Sequence, residues 1–391
     1  MYTEGADRVH IHIFKLSIPF ITDPPSDFLD QWSVQLYVKI EANDTVGWGE
    51  TGVFGSGIIG AYSSILEDLV IPFLERFRGE SPAETETVLE KVMLTAGNCG
   101  VVTGAISSIE MGLWDIKAKR LGTSLGDLLG GKIRERVPIY ASFPRYRSQK
   151  DIVSTALKAR ERGFRMIKLH QPPSTALDAL KEVREKVGYD LKVALDMNAP
   201  FDLHSAKKFV DGASKYEVEW IEEPIWPTDD YNSLEKLCEY SSVPIAAGEN
   251  EYTINGFKRL LGTGISYVQP DIAKIGGVSK FLRILDLASS YSVKVAPHDR
   301  PDSSPLSLAY ALQISSARSE ISTIEYTISD FPHDLFRNLP EVFNGYATVP
   351  KGNGIGIEII EDALKKYSYI QKLRLLAFSD LENRLKEKEQ I

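Results

Sequence analysis

From about Arg136 onward the chain repeats one unit, a short apolar, β-rich run that ends in polar residues and is followed by a helical pattern. The runs are VPIYASF (137–143), FRMIKLH (164–170), LKVALDMN (191–198), VEWIEE (218–223), VPIAAGEN (243–250), ISYVQPD (265–271), SVKVAPHD (292–299) and STIEY (322–326). Helical patterning between them includes Asp151–Arg162, Ser205–Lys215, Tyr231–Tyr240, Val278–Tyr291 and Leu306–Ser316. Strands alternating with helices pair in parallel through right-handed crossovers. Eight such units predict an α/β fold, a (β/α)8 barrel of the TIM type.

The charged residues near the ends of these runs are evenly spaced. Lys168, Asp196, Glu222, Glu249, Asp271, His298 and Glu325 follow one another at intervals of 28, 26, 27, 22, 27 and 27 residues. Each interval is about one strand, one helix and two loops, so each residue is expected at the C-terminal end of its own strand. In a barrel those ends surround a single mouth, where active sites form. Asp196, Glu222 and Glu249 come from the third, fourth and fifth strands. Three ionised carboxylates repel one another unless a cation holds them. An all-oxygen set suits a hard divalent ion such as Mg2+ or Mn2+. Glu223 follows Glu222 directly, so strand alternation sends it the other way, to a supporting or exposed position. Lys168 and His170 are two apart and share a face. Asp271 and His298 end neighbouring strands, about 5 Å apart, where Asp271 can fix the histidine's tautomer and raise its basicity. The two pairs would address opposite faces of a ligand. His10, His12, His204 and His333 lack such partners and are read as structural.

The first 135 residues read differently. VHIHIFKLSI (9–18) and SVQLYVKIEA (33–42) alternate as antiparallel strands do, and helical patterns follow at Ala61–Arg78 and Ala105–Arg120. The expected division is an α+β capping domain over 1–135, the barrel over 136–340, and a segment over 341–391 that returns to the capping domain. The charged tail, Leu381–Ile391, reads as a solvated helix end. A net charge of -9 argues against a nucleic-acid footprint. No apolar run reaches the ~20 residues of a membrane helix, and MYTEGADRVHIHIF lacks the pattern of a signal peptide. A cytoplasmic protein with no membrane association is expected. Cys99 and Cys238 are too few for a disulfide framework or a cysteine metal site.

Taken together, the motifs resemble the enolase superfamily in its mandelate racemase branch. They are VGWGE (46–50), GLWDIKAKRLG (112–122) and LLGGK (128–132), then K-x-H (168–170), DMN (196–198), WIEEP (220–224), GEN (248–250), QPDIAKIGGV (269–278), PHD (297–299) and IEY (324–326). The resemblance covers nearly the whole chain. It implies Asp196, Glu222 and Glu249 as Mg2+ ligands and Asp271–His298 as a general base or acid. It implies Lys168 as the partner of the substrate carboxylate, and Glu325 as a neutral carboxyl group that hydrogen-bonds the enolate, its proton held on by nearby anions. His170 stands where the branch most often has a second lysine. Lys274 is not assigned as a base, because the branch that uses a lysine on this strand has it at the position of Asp271. Residues 18–33, IPFITDPPSDFLDQWS, match a mobile specificity loop, and Asp23, Asp27, Asp30, Gln31 and Trp32 make it polar.

The step implied by the resemblance is removal of a proton α to a carboxylate. Two histidines supply one base and one acid, which favours loss of a β-hydroxyl. The expected activity is that of a sugar-acid (aldonate, pentonate or hexonate) dehydratase, a hydro-lyase forming a 2-keto-3-deoxy acid. The alternative is a racemase or epimerase of a 2-hydroxy acid, and a barrel that only binds metal is the remaining class. Asn198, Arg300, Trp32 and Arg145 are candidate substrate contacts. Assembly into a dimer or octamer is what the family implies.

Overall fold

The computed structural model describes residues 9–26, 32–52, 58–75, 81–300, 302 and 304–369. The expected solvated tail, 381–391, lies outside the described residues, as do Asp27, Asp30 and Gln31.

Strands β1 (Val9–Ser17), β2 (Val34–Ala42) and β3 (Thr45–Thr51) form an antiparallel meander. Its apolar face, with Leu36, Val38 and Ile40, packs on Ile106 and Ile109 of the helix Val101–Arg120. The contact is close because β3 carries Gly47 and Gly49. A Cβ on Gly49 would lie 1.8 Å from Ser108 O, and one on Gly47 would lie 2.1 Å from Gly112 O. Only glycine lets helix backbone approach strand backbone this closely. The helical stretch expected at 61–78 is broken into Ile59–Ile65, a π turn at Leu66–Val70 and Ile71–Leu74. A helix outside the expected set, Pro82–Val92, starts with Pro82 at its first turn and with Ser81 Oγ accepting from Glu84 N at 3.2 Å.

The eight expected barrel strands are all present: β4 (Arg136–Ser142), β5 (Met166–Leu169), β6 (Lys192–Asp196), β7 (Val218–Glu222), β8 (Ile245–Ala247), β9 (Tyr267–Val268), β10 (Lys294–Val295) and β11 (Ile324–Thr327). Each of β4 to β9 pairs in parallel with the next, and β11 returns to β4. A parallel bridge between Val295 and Ile321 closes the ring, with Ser322 N donating to Val295 O at 2.8 Å. Several strands stop short of their apolar runs. Pro270 and Pro297 follow β9 and β10 and have no N–H to offer a ladder, so Asp271 and His298 stand on the loops beyond. Helices Pro173–Val187 and Ile254–Leu261 complete the alternation. Inside the barrel, Tyr140, Met166, Ala194, Trp220, Ala246, Tyr267 and Ala296 form one layer. From β6 to just beyond β10 small and large side chains alternate, Ala194, Trp220, Ala246, Tyr267 and Ala296. The Trp220 ring lies 5.1 Å from that of Tyr140 and 4.8 Å from that of Tyr267.

The meander is fastened to the barrel by buried carboxylates. Glu110 accepts from Val278 N (2.6 Å), Ser279 N (3.0 Å), Ser279 Oγ (2.5 Å) and Trp114 Nε1 (2.7 Å). It thus caps the barrel helix Val278–Ser290, which has no cap of its own. Asp115 accepts from Trp48 N on β3 (3.2 Å) and from Ile355 N (3.0 Å), which lies beyond the barrel. Past β11, Tyr346–Thr348 pairs antiparallel with the start of β4. The chain then reaches the meander, where Lys39 meets Glu361 at 2.6 Å and Tyr369 N donates to Lys15 O at 2.9 Å.

Burial pushes the Glu110 carboxyl up to about 7, against the pull of its four donors. Glu110→Ala strands three of those donors, which costs about 1–3 kcal/mol for each group left buried and unpaired. A fall of at least ~3 kcal/mol in unfolding free energy is expected from urea titration. The folded value exceeds the unfolded one, so the group's own contribution is present at low pH and is lost as pH rises towards 7. The variant's deficit is therefore larger at pH 5 than at pH 8.

Candidate active site

Asp196 is the last residue of β6 and Glu222 the last of β7, and the two are paired in register. Glu249 lies two residues beyond β8, after Gly248 (φ 132) has turned the chain. One carboxylate oxygen from each of Asp196, Glu222 and Glu249 lies within 4.8 Å of the others. Lys168 stands beside them, fully buried, with its Nζ 2.7 Å from Glu222 Oε1, 3.0 Å from Glu325 Oε1 and 3.3 Å from Asp196 Oδ2.

The electrostatics are those of too much negative charge in too little water. Burial pushes Glu222 well above the carboxylate range; Asp196, Glu325 and Glu249 add to this, and Lys168 offsets only part. Burial alone would lower Lys168, but Glu222 and Glu325 outweigh it and hold the ammonium well above its usual value. Burial also raises Asp196, yet Lys168 and His170 outweigh it and the net shift is down.

The two histidines flank the carboxylates. His170 Nε2 lies 2.8 Å from Asp196 Oδ2, and its Nδ1 has no hydrogen-bond partner among the described residues. His298 Nδ1 lies 2.7 Å from Asp271 Oδ2, and its Nε2 lies 3.1 Å from Glu249 Oε2. Burial lowers His298, but Glu249, Glu325 and Asp271 outweigh it and push it up to about 10. Burial raises Asp271, and His298 more than cancels this, so its net shift is down.

Two expectations are corrected here. Glu325 is not driven up by nearby anions. Burial raises it, but Lys168, His298 and His170 outweigh burial and the net shift is down. It also sits inside β11, which runs on to Thr327, one level deeper than a strand end. Its other oxygen accepts from Tyr140 Oη and Asp299 N, both at 3.3 Å. Glu223 is neither exposed nor directed away from the mouth. Its φ of 41 breaks the strand alternation, so the buried carboxyl lines the cavity and accepts from Asn250 Nδ2 at 2.7 Å. Burial, together with Glu249 and Asp196, pushes it up to about 8.

Above the carboxylates lies a cavity of about 600 Å³, bounded by the barrel mouth and by the capping residues Trp32, Gly52, Ile58, Tyr62, Gly100 and Val101. Asn198, Arg145 and Arg300 also line it. Asn198 is committed to Asp196, donating from its backbone N (3.0 Å) and Nδ2 (2.9 Å) to Oδ1. Arg145 Nε donates to His170 O at 3.1 Å. Arg300 is buried, with its Nη2 2.7 Å from Asp302 Oδ2 and 3.1 Å from both Glu50 Oε1 and Gln35 Oε1. It therefore ties the loop carrying His298 to the capping sheet. Asp23 lies off the cavity, against Lys158 on an outer helix at 2.5 Å. Residues that sequence reasoning passed over include Asn250, Tyr252 and Trp226 on the cavity wall. Two more, Trp220 and Gln269, lie beneath Glu222. Lys274 does line the cavity, with its Nζ 3.1 Å from Asn250 Oδ1.

Residues 31–130 match the family model for the mandelate racemase / muconate lactonizing enzyme N-terminal domain, and residues 151–363 match the enolase C-terminal domain-like model. The chain is 31% identical over 386 residues to D-galactarolactone cycloisomerase of Agrobacterium fabrum, covering 93% of this chain and 98% of that one. It is 31% identical over 349 residues to a putative L-rhamnonate dehydratase of Caldivirga maquilingensis, covering 84% and 81%. The solved 3,6-anhydro-D-galactonate cycloisomerase of Zobellia galactanivorans superposes with a TM-score of 0.79 at 26% identity, over 92% of this chain and 99% of that one. The chain belongs to the mandelate racemase branch of the enolase superfamily.

Lys168→Met removes a cation that touches three buried carboxylates. Breaking a buried pair in this way costs about 3–5 kcal/mol, to be measured as lost unfolding free energy at pH 8 without added metal. The deficit is expected to shrink as pH falls and the stranded carboxyl groups take up protons.

Proposed function

We propose that the chain is a Mg2+-dependent sugar-acid dehydratase, which removes the proton α to a carboxylate and expels the β-hydroxyl to form a 2-keto-3-deoxy acid. The observation that carries this reading is the placement of two histidines, from opposite sides of the barrel, on either flank of one carboxylate trio. The trio fits a hard divalent ion: its donors are all oxygen, they converge within 4.8 Å, and burial first, then the neighbouring carboxylates, drives Glu222 upward. Asp196, Glu222 and Glu249 would hold Mg2+, which when bound supplies positive charge to the substrate carboxylate and offsets that of Glu249.

The remaining chemistry belongs to the side chains. Lys168 Nζ attracts the carboxylate oxygens, where the enediolate's charge develops. Of the anions that hold His298 protonated, Glu249 is the strongest, so a cation on Glu249 favours the neutral imidazole. Asp271 then accepts the hydrogen bond from its Nδ1–H and leaves the Nε2 lone pair to take the α-proton. The electron pair of the C–H bond enters the enediolate and then expels the β-oxygen. His170 Nε2 protonates that oxygen, so it leaves as water. The resulting enol becomes the 2-keto acid. Glu325 lies deep beside Lys168, off the cavity wall, and acts on the site by holding the Lys168 ammonium in place. Trp32 and Arg145 on the cavity wall, with Asn198 beside Asp196, are positioned to meet the hydroxyl-bearing chain.

A second reading has support from the cycloisomerase relatives. In a lactone whose ring oxygen sits β to a free carboxylate, the same proton removal expels the ring oxygen, and the product is an isomer of the substrate. The mass of the product separates the two. Incubation with Mg2+ and a panel of aldonates, aldarates and their lactones, followed by semicarbazide trapping and mass spectrometry, should yield a 2-keto acid lighter than its substrate by one water. An isomeric product from a lactone supports cycloisomerisation. Solvent exchange of the α-proton with no 2-keto acid contradicts both and points to racemisation. His298→Asn is expected to lose both exchange and turnover by about 10²–10⁴-fold. His170→Asn should lose turnover by a similar factor while keeping exchange.

A further inference from the structure

Glu222 is gripped from beneath by two side chains that hold one of its oxygens only. Gln269 Nε2 lies 2.6 Å from Glu222 Oε2, and Trp220 Nε1 lies 3.1 Å from the same atom. The other oxygen, Oε1, meets Lys168 Nζ at 2.7 Å. Gln269, Trp220 and Glu222 are all 0% exposed. A carboxylate offers about four lone-pair sites over its two oxygens. Two N–H donors fill Oε2, whereas Oε1 keeps a free site beside Lys168. With a cation keeping Glu222 ionised, the amide must present nitrogen to it, because an ionised carboxylate only accepts.

Neither donor is free to move. The indole is packed between the rings of Tyr140 and Tyr267. Gln269 spends its amide on Glu222 alone: its Oε1 is buried with no hydrogen-bond partner among the described residues. Leaving such a group unpaired costs about 1–3 kcal/mol, a cost that an apolar side chain of the same size would avoid. Among the described residues, the amide therefore serves Glu222 and no other group.

We propose that Gln269 and Trp220 are positioning residues that restrict Glu222 to a single ligating oxygen and thereby set the site's preference for Mg2+ over Ca2+. Mg2+ demands near-octahedral geometry at short distances and retains several waters, which suits one oxygen from each carboxylate. Ca2+ takes six to eight oxygens and readily accepts a bidentate carboxylate. A Glu222 with Oε2 tied down cannot turn to offer both oxygens. Released from its two donors, it can rotate and supply the extra ligand that the larger ion uses.

This inference rests on the reading of Asp196, Glu222 and Glu249 as a divalent-cation site. It is tested by titrating Mg2+ and Ca2+ separately into the metal-free protein by isothermal calorimetry, for wild type, Gln269→Met and Trp220→Phe. Methionine nearly matches the length of glutamine but cannot donate, and phenylalanine keeps the packed ring. Mg2+ affinity is expected to fall about 10–100-fold in each variant, as is usual when an outer-shell partner is lost. Ca2+ affinity should hold or rise, so the ratio of the Ca2+ to the Mg2+ dissociation constant falls by at least ~10-fold. Far-UV circular dichroism of the metal-free variants checks the fold, and either folded variant suffices. An unchanged ratio overturns the proposal, whether both affinities persist or both fall together. A wild type that binds neither ion overturns the cation-site reading instead.

Discussion

Buried like charge is the condition that everything else in this molecule accommodates. Asp196, Glu222, Glu249 and Glu325 converge at the mouth of the barrel, with Glu223 and Asp271 close by. The described cations beside them include Lys168, Lys274, Arg300 and, when protonated, the histidines. Burying charge costs several kcal/mol per ion unless it is paired. A fold that keeps such a cluster must hold each carboxylate rigidly and gain from the cluster's affinity for a cation. Burial raises both Asp196 and Glu222, but Lys168 and His170 together bring Asp196 down, whereas Lys168 alone offsets only part of the rise at Glu222.

The barrel supplies that rigidity in layers. An aromatic floor of Tyr140, Trp220 and Tyr267 fills the interior, with alanines between the large rings. Its polar edges reach upward, Trp220 Nε1 to Glu222 and Tyr140 Oη to Glu325. From above, the capping sheet sends Glu50 and Gln35 onto Arg300, two residues past His298. The helix Val101–Arg120 caps a barrel helix through Glu110. The cavity therefore has one wall from each part of the chain, and the distance between those walls is set by buried, hydrogen-bonded carboxylates.

Much of this was legible in the residues. A repeat of about 27 is a property of the βα unit, so the strand count, the barrel and the ring of polar strand ends follow from it. The limits of that reasoning are local. Glu223 was assigned by strand alternation, but a left-handed φ ends the strand there and turns the side chain into the mouth. Gln269 and Trp220 were read as parts of strands and motifs, because a period of two says which face a residue occupies and not which atom it touches. The titration of Glu325 was inferred from the surrounding anions alone, whereas Lys168 and both histidines lie close enough to reverse the sign. Arg300 does line the cavity, but its acidic partners come from both parts of the chain, and no local pattern announces them.

The central claim is that one oxygen from each of Asp196, Glu222 and Glu249 binds the same divalent ion. Its most direct measurement is an anomalous-difference map from crystals grown with Mn2+ in place of Mg2+. A single peak about 2.0–2.3 Å from all three carboxylates, with water or buffer oxygens completing an octahedron, is the result predicted. A peak elsewhere, or a trio that stays turned toward Lys168 with no metal density at saturating Mn2+, would contradict the account.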